Sequence, residues 1–133
     1  MSHGQFDRDL KYVGKASPRI DGEIKVTGAA KFVHDMTVAG MLHARIKTSP
    51  HASARIKAVD TSRAEKLPGV HAVLTGRELD YRVGLYMVDK YILARDVVRY
   101  WGEPVAAVAA DEEWIAEKAC GLIEVEYEVL EPV

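Results

Sequence analysis

The stretch Val105-Ala106-Ala107-Val108-Ala109-Ala110-Asp111-Glu112-Glu113-Trp114-Ile115-Ala116-Glu117-Lys118-Ala119-Cys120-Gly121-Leu122-Ile123-Glu124-Val125-Glu126-Tyr127-Glu128-Val129 decides the fold. It opens on a continuous run of small apolar residues, the pattern of a strand covered on both faces. Asp111 is placed to cap a helix whose first turn carries Glu112 and Glu113, acidic side chains that suit the positive end of the dipole. Ile115, Ala119 and Leu122 recur at helical spacing and make one apolar stripe. From Ile123 onward the period changes to two. Ile123, Val125, Tyr127 and Val129 alternate with Glu124, Glu126 and Glu128, as on a strand with one wet face.

The same strand–helix–strand plan occurs earlier. Residues 54–59 read as a strand, with Ile56 and Lys57 on opposite faces. Asp60-Thr61-Ser62 offers helix caps, and Ser62 with Glu65 fits a capping box. Leu67-Pro68-Gly69 stops that helix, residues 70–75 form the next strand, and residues 76–79 a turn or short helix. Upstream, Leu42, Ala44 and Ile46 alternate with His43, Arg45 and Lys47, which predicts another half-buried strand. Residues 97–100 read as a strand ending in the turn Gly102-Glu103-Pro104. Two units, 54–75 and 105–129, are thus joined by an excursion through Tyr81, Tyr86 and Tyr91. The expected architecture is α+β, a mixed sheet with the two helices of the two units on one face.

Composition agrees with a globular domain. The 133 residues are 48% hydrophobic, 29% charged and 8% aromatic, with net charge -2. Disorder is excluded by ordinary apolar content and low net charge. No apolar run approaches the roughly 18 residues of a membrane span. Eighteen basic against 20 acidic residues leave no broad electrostatic footprint for nucleic acid. The single cysteine, Cys120, allows neither an intrachain disulfide nor a self-contained zinc or iron–sulfur site. With no secretory apolar core in residues 1–8, a reducing, cytoplasmic setting is expected. Residues 1–12 read as an extended lead-in and 13–133 as the domain, although aperiodic character continues to Asp21-Gly22.

No constellation reads as a self-sufficient active site. Gly14-Lys15-Ala16-Ser17 lacks the earlier glycine and the adjacent hydroxyl of a phosphate loop. The histidines have no spacing that dictates a shared metal. Glu124, Glu126 and Glu128 occupy equivalent positions on one open face, whereas a catalytic carboxylate pair needs unlike environments. Cys120 falls near a helix end, not at the N-terminus that would acidify it. No catalytic, cofactor-binding or metal residue is therefore assigned. Two loops stand out instead, Thr48-Ser49-Pro50-His51-Ala52-Ser53 and Tyr100-Trp101-Gly102-Glu103-Pro104, with Ser49, Pro50, His51, Trp101, Gly102, Glu103 and Pro104 as the interface candidates. An exposed Trp101 beside such a turn would serve as an interface anchor, and the alternative is an indole folded onto its own core.

Several stretches occur together in order: Arg19-Ile20-Asp21-Gly22, Lys25-Val26-Thr27-Gly28-Ala29-Ala30-Lys31-Phe32, Gly40-Met41-Leu42-His43-Ala44 and Ser49-Pro50-His51-Ala52. Ala54-Arg55-Ile56, Pro68-Gly69-Val70 and Leu93-Ala94-Arg95-Asp96 follow. Val98-Arg99-Tyr100-Trp101-Gly102-Glu103-Pro104-Val105-Ala106 and Ile123-Glu124-Val125-Glu126-Tyr127-Glu128 complete the series. From Val13 to Val133 the chain resembles the N-terminal α/β-hammerhead domain of the molybdopterin-binding large subunit of the xanthine dehydrogenase/aldehyde oxidase family. Residues 80–84 and 91–96 look closest to the 4-hydroxybenzoyl-CoA reductase branch. Ala39, Thr48, Ser53 and Trp101 depart from the family's usual Pro, Arg, His and Val.

The resemblance implies a non-catalytic docking module of an oxidoreductase. In the full complex it implies molybdopterin, [2Fe-2S] clusters and FAD, held by a molybdopterin-binding chain or domains, an iron–sulfur subunit and an FAD subunit. The module itself would bind no cofactor, nucleic acid or membrane. The alternative is a stand-alone binding or assembly protein without a redox role.

Overall fold

The computed structural model describes residues 11–132; the lead-in expected over 1–12 lies almost wholly outside them. The chain divides into two compact units, the first ending at Val38 and the second starting at Ala39.

Within the described part of the first unit, α1 spans Gly22–Val26, and a single 3-10 turn follows at Val33–Asp35. Neither was predicted, because five and three residues are too few for a periodic signal. Short-range bonds hold them. The Asp21 carboxylate takes Arg19 Nε at 2.7 Å and also pairs with Lys25. That lysine, then the Arg19 contact, keeps the Asp21 carboxyl below its ordinary value. At the second turn the Asp35 carboxylate accepts the Phe32 N–H at 2.9 Å.

The second unit is α+β, as expected. Its strands are β1 (His43–Thr48), β2 (Ala54–Asp60), β3 (Val70–Thr75), β4 (Arg82–Val83), β5 (Lys90–Tyr91), β6 (Val97–Val98), β7 (Pro104–Ala110) and β8 (Glu124–Val129). Its helices are α2 (Ser62–Glu65) and α3 (Glu113–Leu122). Among the described residues no helix is long and apolar enough to cross a membrane. The strand residues distribute over two three-stranded antiparallel sheets, β1-β7-β3 and β6-β2-β8, with β4-β5 as a small hairpin. Each strand–helix–strand unit crosses between sheets. The first supplies the centre of one sheet (β2) and an edge of the other (β3). The second supplies the other centre (β7) and the opposite edge (β8).

Helix α3 packs on β1 and β7 and against α2, which leans on β3. Its buried stripe holds Ile115, Ala116, Ala119 and Cys120. This stripe meets Ala64, Ala106, Val108 and Ile123 in the main core. A second cluster, Ala54, Ile56, Ala94, Val98 and Val105, fills the inner side of the β2 sheet. The cores are built of small side chains, which lets the helices sit close to the strands.

Four local expectations are corrected. The Ser62–Glu65 capping box does not form. Ser62 is already helical, its N–H is accepted by the Asp60 carboxylate at 2.9 Å, and Thr61 hydrogen-bonds Glu65 instead. Asp111 does not cap α3, because it sits one residue early and its Oδ1 meets His71 Nε2 at 2.7 Å; Glu112 is the cap residue. Residues 99 and 100 leave the strand at Val98, since the Arg99 N–H turns to the Glu103 side chain. In β1 it is His43 and Lys47, not Ala44 and Ile46, that turn toward cover: Lys47 Nζ donates to the Cys120 carbonyl at 3.3 Å and Arg45 lies near Glu113 and Glu117. Among the described residues, β7 accordingly has helical cover on one face only.

Candidate docking site

Both turns singled out in the sequence leave the ends of core strands, and the fold brings them together. Ser49 follows β1, and Glu103 precedes β7, the strand paired with β1. The Ser49 N–H donates to the Glu103 carbonyl at 2.9 Å, and the Gly102 N–H donates to the Ser49 carbonyl at 2.8 Å. Two loops more than 50 residues apart are thereby stitched by reciprocal backbone bonds. Gly102 makes this geometry accessible through its φ of 84°, a region that side-chain-bearing residues disfavour.

The candidate residues divide into supports and surface. Ser49 is 1% exposed and Glu103 3%. Burial of a glutamate demands partners, and Glu103 Oε2 accepts the Arg99 N–H at 2.5 Å. Ser49 Oγ accepts the His51 N–H at 3.1 Å and donates to the His51 carbonyl at 3.2 Å. Pro104 opens β7, and its carbonyl accepts the Ala94 N–H at 2.7 Å. Ser49, Glu103 and Pro104 therefore shape the site from beneath. Pro50 is exposed, while His51 and Gly102 are half-buried. The His51 ring stands edge-on to Tyr127, with centroids 5.0 Å apart. Burial pushes the Tyr127 phenol up. Ser49 is near enough to draw that shift back slightly, yet Tyr127 Oη has no partner in hydrogen-bonding geometry.

Trp101 is 74% exposed, so it is not folded onto its own core. With Tyr100, Arg99, Ala52, Ser53 and Pro132 it lines a cleft of about 470 Å³. A second cleft continues on the other side of Tyr100, between Asp89, Lys90, Arg99 and Glu103. Lys90 Nζ lies 4.8 Å from the centre of the Tyr100 ring. Tyr100 belongs to the second loop singled out in the sequence, whereas sequence reasoning missed Lys90, which no local signal ties to a tyrosine ten residues later. The site is an open aromatic ledge on a hydrogen-bonded base, suited to binding a surface and lacking a nucleophile, a paired acid and base, or a metal cage.

The other candidate chemistry resolves into structure. Glu124, Glu126 and Glu128 are exposed, as expected, and two of them face cations. Lys57 Nζ lies 2.6 Å and Arg55 Nε 3.5 Å from Glu128, and Arg63 Nη1 donates to Glu124 at 2.7 Å. Lys57 foremost holds the Glu128 carboxyl below its ordinary value, the opposite of what a general acid needs. Burial raises the Cys120 thiol, which makes it less reactive. Among the described residues no three of His, Cys, Asp and Glu gather around one point.

Comparison with known proteins places this geometry. The family described as "Aldehyde oxidase and xanthine dehydrogenase, a/b hammerhead domain" matches residues 27–131. The chain is 42% identical over 131 residues to the nicotine 6-hydroxylase large subunit of Paenarthrobacter nicotinovorans, covering 91% of this chain and 16% of that protein. It is 44% identical over 115 residues to a probable xanthine dehydrogenase subunit of Bacillus subtilis (85% and 15% covered). The structure of reconstituted CO dehydrogenase from Oligotropha carboxidovorans superposes with a TM-score of 0.83 at 36% identity, over 88% of this chain and 15% of that one. The chain thus spans roughly a sixth of the length of these two curated relatives.

Proposed function

The chain belongs to the aldehyde oxidase and xanthine dehydrogenase α/β-hammerhead family, and from that premise we propose that it is the structural docking module of a molybdenum-containing oxidoreductase. Its work is to hold catalytic and electron-transfer portions in fixed relation, and the Trp101 ledge is a contact face for them. The observation that carries this reading is the pairing of an exposed Trp101 with a buried, fully bonded Ser49–Glu103 base. Such a rigid anchor beside shallow clefts is how interfaces concentrate binding energy.

The residues present do not fit a molybdopterin or an iron–sulfur cluster. One buried thiol is no cluster ligand set. The buried polar side chains Ser49 and Glu103 are committed to backbone groups. The partners that the family resemblance implies for the module are a molybdopterin-binding chain or domains, an iron–sulfur subunit carrying [2Fe-2S] clusters and an FAD subunit. A single buried cysteine suits the cytoplasm as the setting. The proteins compared above are enzyme subunits by name and far longer than this chain, which supports this reading over a stand-alone binding protein.

The test is purification of the complex from its native source. Its mass, metal content and flavin spectrum should report molybdenum, iron and FAD together with this sequence. A clean monomer free of metal would overturn the assignment. A panel of N-heteroaromatic compounds and aryl-CoA thioesters then separates a hydroxylase of the nicotine type from the 4-hydroxybenzoyl-CoA reductase branch.

A further inference from the structure

The two sheets follow different rules on their outer faces. On β2 and β8 the outward side chains are Arg55, Lys57, Glu124, Glu126 and Glu128, all charged and exposed, as for an antiparallel sheet with one side in water. On β1, β7 and β3 the central ones are Ala44, Ile46, Ala107, Ala109, Ala72 and Leu74, all apolar, and Thr48 at the end of β1 is the exposed polar neighbour of this row. The register aligns these six into two straight rows. Ala44 pairs with Ala109 and Ala109 with Ala72; Ile46 pairs with Ala107 and Ala107 with Leu74. The alanines of β7 form the floor of a shallow trough, with Ile46 (54% exposed) and Leu74 (44% exposed) as its walls. Helices α2 and α3 occupy the opposite face.

We propose that this trough is a permanent interface, covered by polypeptide of the same large subunit that lies outside these 133 residues. The inference rests on the reading of the chain as a hammerhead module. Three observations support it. The 105–110 run has the composition of a strand covered twice, and the described residues cover it once. The face is uncharged, which suits obligate burial and not a transient contact. The two curated relatives named above are about six times longer than this chain, and a tethered segment meets such a face at high effective concentration.

Cysteine accessibility in the intact native complex tests it. Cys120 is buried and contributes little background. Ile46→Cys and Leu74→Cys should react with maleimide at least about tenfold more slowly than Lys57→Cys on the charged sheet. Ala109→Cys, a near-isosteric change, keeps the test standing if the bulkier positions lower the yield. A photo-crosslinker at position 46 should then join to the large subunit's own polypeptide. Equal labelling rates would overturn the proposal, and so would crosslinks to residues 1–38, to another subunit or to a second copy. If the trough labels freely inside a molybdenum-containing complex, this inference alone fails. If the chain enters no such complex, the docking reading fails with it.

Discussion

Trp101→Ala separates an anchor from a core residue. The indole is 74% exposed, so its own domain covers about a quarter of it. A buried tryptophan hides some 150–250 Å², which makes the covered part ~50 Å² and its loss about 1 kcal/mol at the usual apolar coefficient. For a domain of this size that lowers Tm by about 3–6 °C. The remaining ~150 Å² is free for a partner, with a ceiling of about 4 kcal/mol. Ordering costs consume part of this, and about 2 kcal/mol, or ~30-fold in the assembly constant, is the expected loss. Calorimetry of the chain and titration against its partner chains read the two quantities separately. A stability loss of about 3–5 kcal/mol, the range for a core aromatic, with assembly unchanged would refute the argument.

Glu103→Ala removes the buried carboxylate that accepts the Arg99 N–H, and losing a hydrogen bond to such a group should cost about 1.5–3 kcal/mol in thermal melts; an unchanged melt would show that water replaces the carboxylate. Gly76→Ala would set a Cβ 2.3 Å from the Ala94 carbonyl oxygen, so the buried 93–94 backbone must move, at about 1–3 kcal/mol by denaturant titration. Glu128 is held below the ordinary glutamate value of 4.5 by Lys57 and then Arg55. A lowered folded-state pKa contributes stability that is fully present above the unfolded value and fades as pH falls through the folded one. The difference between wild type and Glu128→Gln should therefore be constant around neutrality and close in acid; a gap that widens in acid would contradict the ion pair. Molar salt should shrink the same gap.

The elements with long, clean periods were readable directly from the chain. The 105–129 stretch has its helix stripe and its two strands within a residue or two of the structure, because burial on α3 and alternation on β8 repeat several times. What the pattern could not reveal was partnership. The alternation in 42–47 identifies a strand but not which face the helix takes, and here Arg45 and Lys47 turn toward α3 because Glu117 and the Cys120 carbonyl receive them. Asp111 has the right chemistry for a cap, yet a histidine 40 residues earlier claims it. The two candidate turns were visible through Pro50, Gly102 and Pro104. Their stitching across Ser49 and Glu103 was not, since no local signal announces that a glutamate will be buried.

The exchange of strands between sheets has a consequence for how the domain can be divided. Because β2 and β3 serve different sheets, and β7 and β8 do the same in reverse, neither half owns a complete core. A protease that nicks the peptide between β4 and β5 would cut the covalent thread yet leave two interlocked pieces. Those fragments should be individually unfolded and should regain structure only when mixed, which makes this domain a natural split reporter.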